Sequence, residues 1–228
     1  MKRAFGQSFI LSIQFLFLTL FLENAPLSGD EAENTLCLGP AGAKIKFIYL
    51  HGFDDPGVGG QEKENRRIMQ RLTEKYGFRI AIPRGNGMCR GGTQKCWAIS
   101  SDKEVSDTYR YILEKTKTCL EGHDSFGILG FSNGGYFLAK LYDSCPAPRA
   151  RWLVTTGSAG KAPEVLSKDC PPLHLLIGKK DLAFKKTKNL YESLKSKKAK
   201  VAFESFDGGH VINEEAVAKA ISNINEKS

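Results

Sequence analysis

Short runs of apolar, β-favouring residues alternate with longer amphipathic runs over most of the chain. The apolar runs are Ile45 to Leu50, Phe78 to Ile82, Phe126 to Leu129, Trp152 to Thr156, Leu173 to Ile177 and Val201 to Phe206. They show little polar alternation, the pattern of strands buried on both faces. Between them apolar positions recur three and four apart, as in Ile68, Leu72 and Tyr76. This spacing predicts helices over Glu62 to Lys75, Lys103 to Lys117, Gly134 to Tyr142, Phe184 to Lys195 and Asn213 to Ile224. Strands separated by helices build a mainly parallel sheet covered on both faces. The expected architecture is therefore a single α/β domain with about six strands, uninterrupted by repeats, low-complexity tracts or a linker.

The first residues break this pattern. Lys2 and Arg3 precede a run from Phe9 to Leu22 that only Ser12, Gln14 and Thr19 interrupt. A basic start followed by a short apolar run is the layout of a secretory signal. The run is short for a membrane-spanning helix. The expectation is a signal peptide over residues 1–29, a mature domain over 30–228, and export to a periplasmic or extracellular space. An uncleaved N-terminal anchor is the alternative, and no small-residue cleavage site stands out before Asp30.

The six cysteines, Cys37, Cys89, Cys96, Cys119, Cys145 and Cys170, all lie beyond that segment. An even count in an exported chain favours disulfides, and none has the C-x-x-C spacing of a zinc or redox site. The alternative is that some are small buried hydrophobes. A net charge of +8 draws the chain to anionic surfaces or substrates without defining its fold. No nucleic-acid motif accompanies it, and no metal ligand set or stable protein partner is expected.

In an open parallel sheet, ligands sit beyond the carboxyl ends of the strands. The chemistry-bearing residues follow strands here. Gly130-Phe131-Ser132-Asn133-Gly134-Gly135 places a serine at a strand-to-helix junction, where the glycines permit a turn that lifts its hydroxyl clear of the backbone. A rival, Gly157-Ser158-Ala159-Gly160, lacks the first glycine of the motif and a clear helix start. A serine hydroxyl needs a base, and the base needs an orienting acid. His210, in the loop after the last strand, is the candidate base, whereas His174 falls inside a strand. Asp181, after the strand ending at Ile177, is the candidate acid, with Asp207 as a competing turn residue. Backbone N–H groups of Asn133 and of Phe53, in His51-Gly52-Phe53 after the first strand, are candidate oxyanion donors.

The order His51-Gly52, Gly130-Phe131-Ser132-Asn133-Gly134-Gly135, Asp181 and Gly209-His210 resembles the α/β-hydrolase superfamily. Within it, the chain is similar to small carboxylesterases and polyhydroxybutyrate-depolymerase-like esterases. The resemblance spans roughly residues 45–225 and implies ester hydrolysis through an acyl-enzyme on Ser132, with no metal or organic cofactor. A peptidase or amidase with the same triad, and a non-catalytic binding protein on the same fold, are the alternatives. The stretch before Ile45 is short for the two leading antiparallel strands usual in the family, which implies a trimmed sheet.

Two further stretches carry open readings. The irregular segment from Pro83 to Ser100 brings Met88 and Trp97 near the site, either as a substrate wall or with Trp97 as a core plug. The lysines within 179–200 form either a solvated helix face or a dock for an anionic surface or polymer. For the cysteines, strand direction predicts a Cys89–Cys96 bridge at the active-site edge. It leaves three pairings of Cys37, Cys119, Cys145 and Cys170, among which Cys119–Cys145 is preferred because it would join successive helix ends.

Overall fold

The structure is a computed structural model that describes residues 35–54, 60–89, 91–121, 125–145, 149–164 and 169–226. The expected signal segment, 1–29, lies outside the described residues. In chain order the elements are β1 (Leu36–Leu38), β2 (Lys46–Leu50), α1 (Gly60–Tyr76), β3 (Arg79–Ile82), β4 (Gly87–Cys89), β5 (Gln94–Cys96) and α2 (Asp102–Thr116). They continue with β6 (Phe126–Phe131), α3 (Asn133–Ser144), β7 (Ala150–Thr156), β8 (Leu173–Gly178), α4 (Phe184–Ser196), β9 (Val201–Phe206) and α5 (Glu214–Glu226).

Seven strands form the main sheet in the order β1-β3-β2-β6-β7-β8-β9. The six expected strands pair in parallel. To them the structure adds β1, which pairs antiparallel with β3 at the edge. One leading antiparallel strand is thus present after all, in three residues. From β2 the chain steps out to β3, then crosses back to β6 on the other side of β2. That reversal opens a crevice beyond the carboxyl ends of β2 and β6, where Leu50 pairs with Gly130.

Alternate residues of each strand face opposite layers. Ile48, Leu50, Ile128 and Leu153 join a core with Ile112 of α2, Phe137 and Leu141 of α3 and Leu190 of α4. Phe47, Tyr49, Leu129 and Val154 join the other core with Met69 and Leu72 of α1 and Val217 and Ile221 of α5. Each fully buried side chain of this size contributes about 1.5–3 kcal/mol relative to exposure. At the start of α2, Ser101 accepts a hydrogen bond from the Glu104 N–H at 3.2 Å, while the Glu104 carboxylate accepts from the Ser100 N–H at 3.1 Å. These bonds satisfy donors that a bare helix end would leave orphaned.

The disulfides are Cys37–Cys119, Cys89–Cys96 and Cys145–Cys170. The expected Cys89–Cys96 bridge is present and closes the β4–β5 hairpin. The preferred Cys119–Cys145 pairing is not. Cys119 lies beside the start of β3, where its carbonyl accepts from the Arg79 side chain at 3.1 Å. Cys145, at the end of α3, meets the segment that enters β8. The two helices end over different strands, and Cys37, inside β1 rather than ahead of a strand, is the cysteine within reach of Cys119. The Cys37–Cys119 bridge spans 82 residues, for which chain-entropy reasoning gives about 4–5 kcal/mol of stabilisation.

Candidate active site

Four elements converge on the crevice. The end of β6 turns directly into α3 at Ser132, whose φ of 50° and ψ of −116° lie outside the regions favoured by a side-chain-bearing residue. The tight packing of the turn imposes this strain. A Cβ on Gly130 would lie 2.5 Å from the Gly134 carbonyl oxygen, and one on Gly134 would lie 2.3 Å from that of Leu50. The Ser132 N–H is held by the Thr156 carbonyl at 2.9 Å, and the Gly134 N–H by that of His51 at 3.0 Å. Strain held this way is typical of functional turns.

The Ser132 Oγ lies 2.9 Å from His210 Nε2, and His210 Nδ1 lies 2.8 Å from Asp181 Oδ2. Asp181 is buried, and its Oδ1 accepts from the Ala183 N–H at 2.8 Å, at the start of α4. An ionised carboxylate only accepts, so Nδ1 carries the imidazole proton and Nε2 is left to accept from the Ser132 hydroxyl. Phe131 packs on the His210 ring at 5.0 Å, and the Gln61 side-chain amide donates to the His210 carbonyl at 2.6 Å. The structure thus brings Ser132, His210 and Asp181 into one line. It leaves out the rivals: Ser158 is 1% exposed, His174 is buried in β8, and Asp207 is an exposed partner of Lys180 at 3.8 Å.

Phe53 and Asn133 flank this line. Asn133 opens α3, so its N–H is among the donors that helix geometry leaves without an intrahelical acceptor. Gly52 packs against the serine, a Cβ there meeting the Ser132 Cβ at 3.2 Å. His51 shapes this loop. Its Nε2 accepts from the Gly85 N–H at 2.8 Å, so Nδ1 bears the proton and donates to the Gly52 carbonyl at 2.6 Å. Burial lowers its pKa to about 4 and keeps the ring neutral. In a trans peptide the Phe53 N–H points opposite to the Gly52 carbonyl that His51 holds.

Trp97 is not a substrate wall. It is fully buried, its indole N–H donates to the His51 carbonyl at 2.9 Å, and its backbone N–H donates to the Asn133 side chain at 2.7 Å. It ties the loop after β2 to the serine turn from below. Met88 is 52% exposed but does not line the cleft. Met88 pairs with Lys95, whereas Cys89 pairs with Gln94, so Met88 and Gln94 project from opposite faces of the hairpin. Backbone bonds between Asp54 and Lys95, at 3.0 and 2.9 Å, dock the hairpin on the loop after β2 and bring Gln94 to the cleft.

The cleft beside Ser132 and His210 has a volume of about 230 Å³, with Phe53 and Phe131 on its walls, Gln61, Glu62 and Asn65 from α1, and Gln94. A larger hollow of about 410 Å³ between α3 and α4 includes none of the Ser132–His210–Asp181 line. No motif singles out the α1 residues of this wall in the sequence. Glu62 is buried, accepting from the Tyr49 hydroxyl at 3.0 Å, the Asn65 amide at 3.5 Å and Arg66 at 3.2 Å. Burial raises its pKa from 4.5 to about 7, against the pull of Arg66. A raised carboxyl pKa gives stability that is complete below the unfolded value and lost as pH rises through the folded one. Chemical denaturation at about pH 5 and about pH 8 should therefore show wild type losing stability relative to Glu62→Gln on going to pH 8. The opposite contribution of His51, lost as pH falls from 6.5 towards 4, cancels in the difference.

All the lysines from Lys179 to Lys200 are exposed, and among the described residues no helix is long and apolar enough to cross a membrane.

No protein-family model and no curated protein matches the chain. Solved structures do. Esterase PE8 aligns over 85% of this chain and 98% of its own at 15% identity, with a TM-score of 0.60. The Bacillus cereus carboxylesterase aligns over 85% and 94% at 15% identity, with a TM-score of 0.60. FphF of Staphylococcus aureus, a fluorophosphonate-binding serine hydrolase, aligns over 80% and 84% at 16% identity, with a TM-score of 0.54. At such identities the likeness speaks for architecture, and with the strand order and serine turn above it shows that this chain has the α/β-hydrolase fold.

Proposed function

We propose that the chain is an exported serine esterase that cleaves carboxylic esters through an acyl-enzyme on Ser132. The observation that carries this reading is the unbroken line from the Ser132 hydroxyl through His210 to Asp181, at 2.9 and 2.8 Å. His210 Nε2 takes the hydroxyl proton as Ser132 Oγ attacks the ester carbonyl carbon. The Asn133 and Phe53 N–H groups receive the developing oxyanion. His210 then passes its proton to the departing alcohol, and a water repeats the sequence to free the acid. Asp181 holds the imidazole orientation and stabilises the imidazolium. The neighbours' descriptions as esterases and a serine hydrolase support the class, and three disulfides fit an oxidising compartment.

A fluorophosphonate probe tests the nucleophile. It should label wild type at Ser132 and leave Ser132→Ala unlabelled, with ester model substrates turned over faster than their amide counterparts. Folded wild type that resists the probe would sink the assignment.

A further inference from the structure

The cleft next to Ser132 is polar for a pocket that receives an ester, since Gln61, Glu62, Asn65 and Gln94 all contribute to its walls. Ligand pockets are ordinarily apolar with few polar groups. One of these groups is unsatisfied: the Gln94 side-chain oxygen is buried and has no hydrogen-bond partner among the described residues. A buried acceptor without a donor is costly to leave, and a ligand that brings a donor relieves that cost.

We propose that the polar wall of the cleft is a subsite for a hydroxyl group of the substrate, held by Gln94, Glu62 and Asn65, and that the enzyme selects short hydroxylated esters over alkyl esters. Size sets the length, because about 230 Å³ is smaller than the pockets that hold drug-sized ligands, roughly 300–1,000 Å³. Charge balance sets the neutrality. Arg66 pairs with both Glu62 and Asp54, and Arg84 pairs with Asp54, so with Glu62 ionised the two guanidiniums are matched by two carboxylates. A hydroxyl also both donates and accepts. It therefore suits Glu62 in either protonation state, which matters for a carboxyl whose pKa is raised to about 7.

The proposal rests on the esterase reading, and the test separates the two. Rates are compared within isosteric pairs that exchange a methyl for a hydroxyl: ethyl lactate against ethyl isobutyrate, and 2-hydroxyethyl acetate against propyl acetate. The hydroxylated member of one pair should show a kcat/KM about tenfold higher, the size of one well-made hydrogen bond. The pair that responds identifies whether the acyl or the alcohol part occupies the subsite. In Gln94→Met, on the hairpin and away from the core helices, the preference should shrink to about twofold or less through KM, and Glu62→Gln should reduce it in the same direction. Turnover of all four esters at equal rates would overturn the subsite while leaving the esterase standing. So would a preference that survives Gln94→Met. Failure to turn over any of the four, together with failure to react with the fluorophosphonate, would remove both readings.

Discussion

Ser132→Ala is expected to lower kcat/KM for ester hydrolysis by about 10⁴-fold or more while leaving thermal stability close to that of wild type. The hydroxyl makes its hydrogen bond to His210, whose side chain is 44% exposed, so its removal opens no core cavity. The strained backbone at this position, φ 50°, is imposed by the surrounding turn and stays. His210→Ala should lose activity on a similar scale, because without Nε2 the hydroxyl has no acceptor for its proton. Asp181→Ala should lose somewhat less, since Ser132 and His210 remain in place while the imidazole loses the carboxylate that orients it and stabilises its charged form. On the proposed mechanism the three should act as one unit, so the triple replacement should be little worse than Ser132→Ala alone. Steady-state rates for the single and triple variants check this. Losses that multiply would mean that the three groups do not share one mechanism.

Gly134→Ala should be strongly damaging at the edge of the sheet that carries Ser132. The new Cβ would lie 2.3 Å from the Leu50 carbonyl oxygen and 2.7 Å from that of His51, and both contacts are backbone that cannot swing aside. Relief requires the end of β2 to move away from α3, which stretches the Gly134 N–H bond to His51 and shifts the loop carrying Phe53. A loss of about 2–4 kcal/mol is expected, equivalent to a fall in melting temperature of about 5–15 °C for a domain of this size. Activity should fall further than stability alone accounts for, because the displaced loop flanks the serine. Gly42→Ala, where nothing lies within 4 Å of the added Cβ, is the control and should change stability by about 0.5 kcal/mol or less. Melting curves and activity on the same preparations decide the matter, and a Gly134→Ala protein as stable and active as the control would show that the turn is loosely packed.

The parallel strands and the five helices were legible because each is long enough for its period to repeat. The β1 strand and the β4–β5 hairpin, at three residues per strand, are too short for a period to register. Ser132, His210 and Asp181 were legible for another reason: in a parallel sheet the residues just after strands gather at one edge, so chain order alone proposes their meeting. The cleft walls were not. Gln61, Glu62 and Asn65 sit in the run Gly60-Gln61-Glu62-Lys63-Glu64-Asn65, which by composition is a solvated helix face. Glu62 and Asn65 are nonetheless buried, with Glu62 bonded to Tyr49 of β2, a partner distant from any local pattern. Trp97 stays open between substrate wall and core plug in the sequence because a large aromatic on an irregular segment gives no sign of which way it faces, and its burial decides for the plug. The disulfide preference failed because helix ends were paired along the sequence, whereas sheet order places α2 and α3 over different strands.

The connectivity of the disulfides bears on how the chain can be oxidised as it emerges. A catalyst that joins each cysteine to the next one to appear would make Cys37–Cys89, then Cys96–Cys119, then Cys145–Cys170. Only the last belongs to the folded protein, because Cys89–Cys96 is nested inside Cys37–Cys119. The native set is therefore reached in one of two ways. Either the short hairpin closes before Cys37 is captured, or a mispaired Cys37–Cys89 is reshuffled by thiol exchange. Cells that lack disulfide isomerase should accumulate this protein with Cys37 joined to the hairpin and β1 detached from the sheet edge.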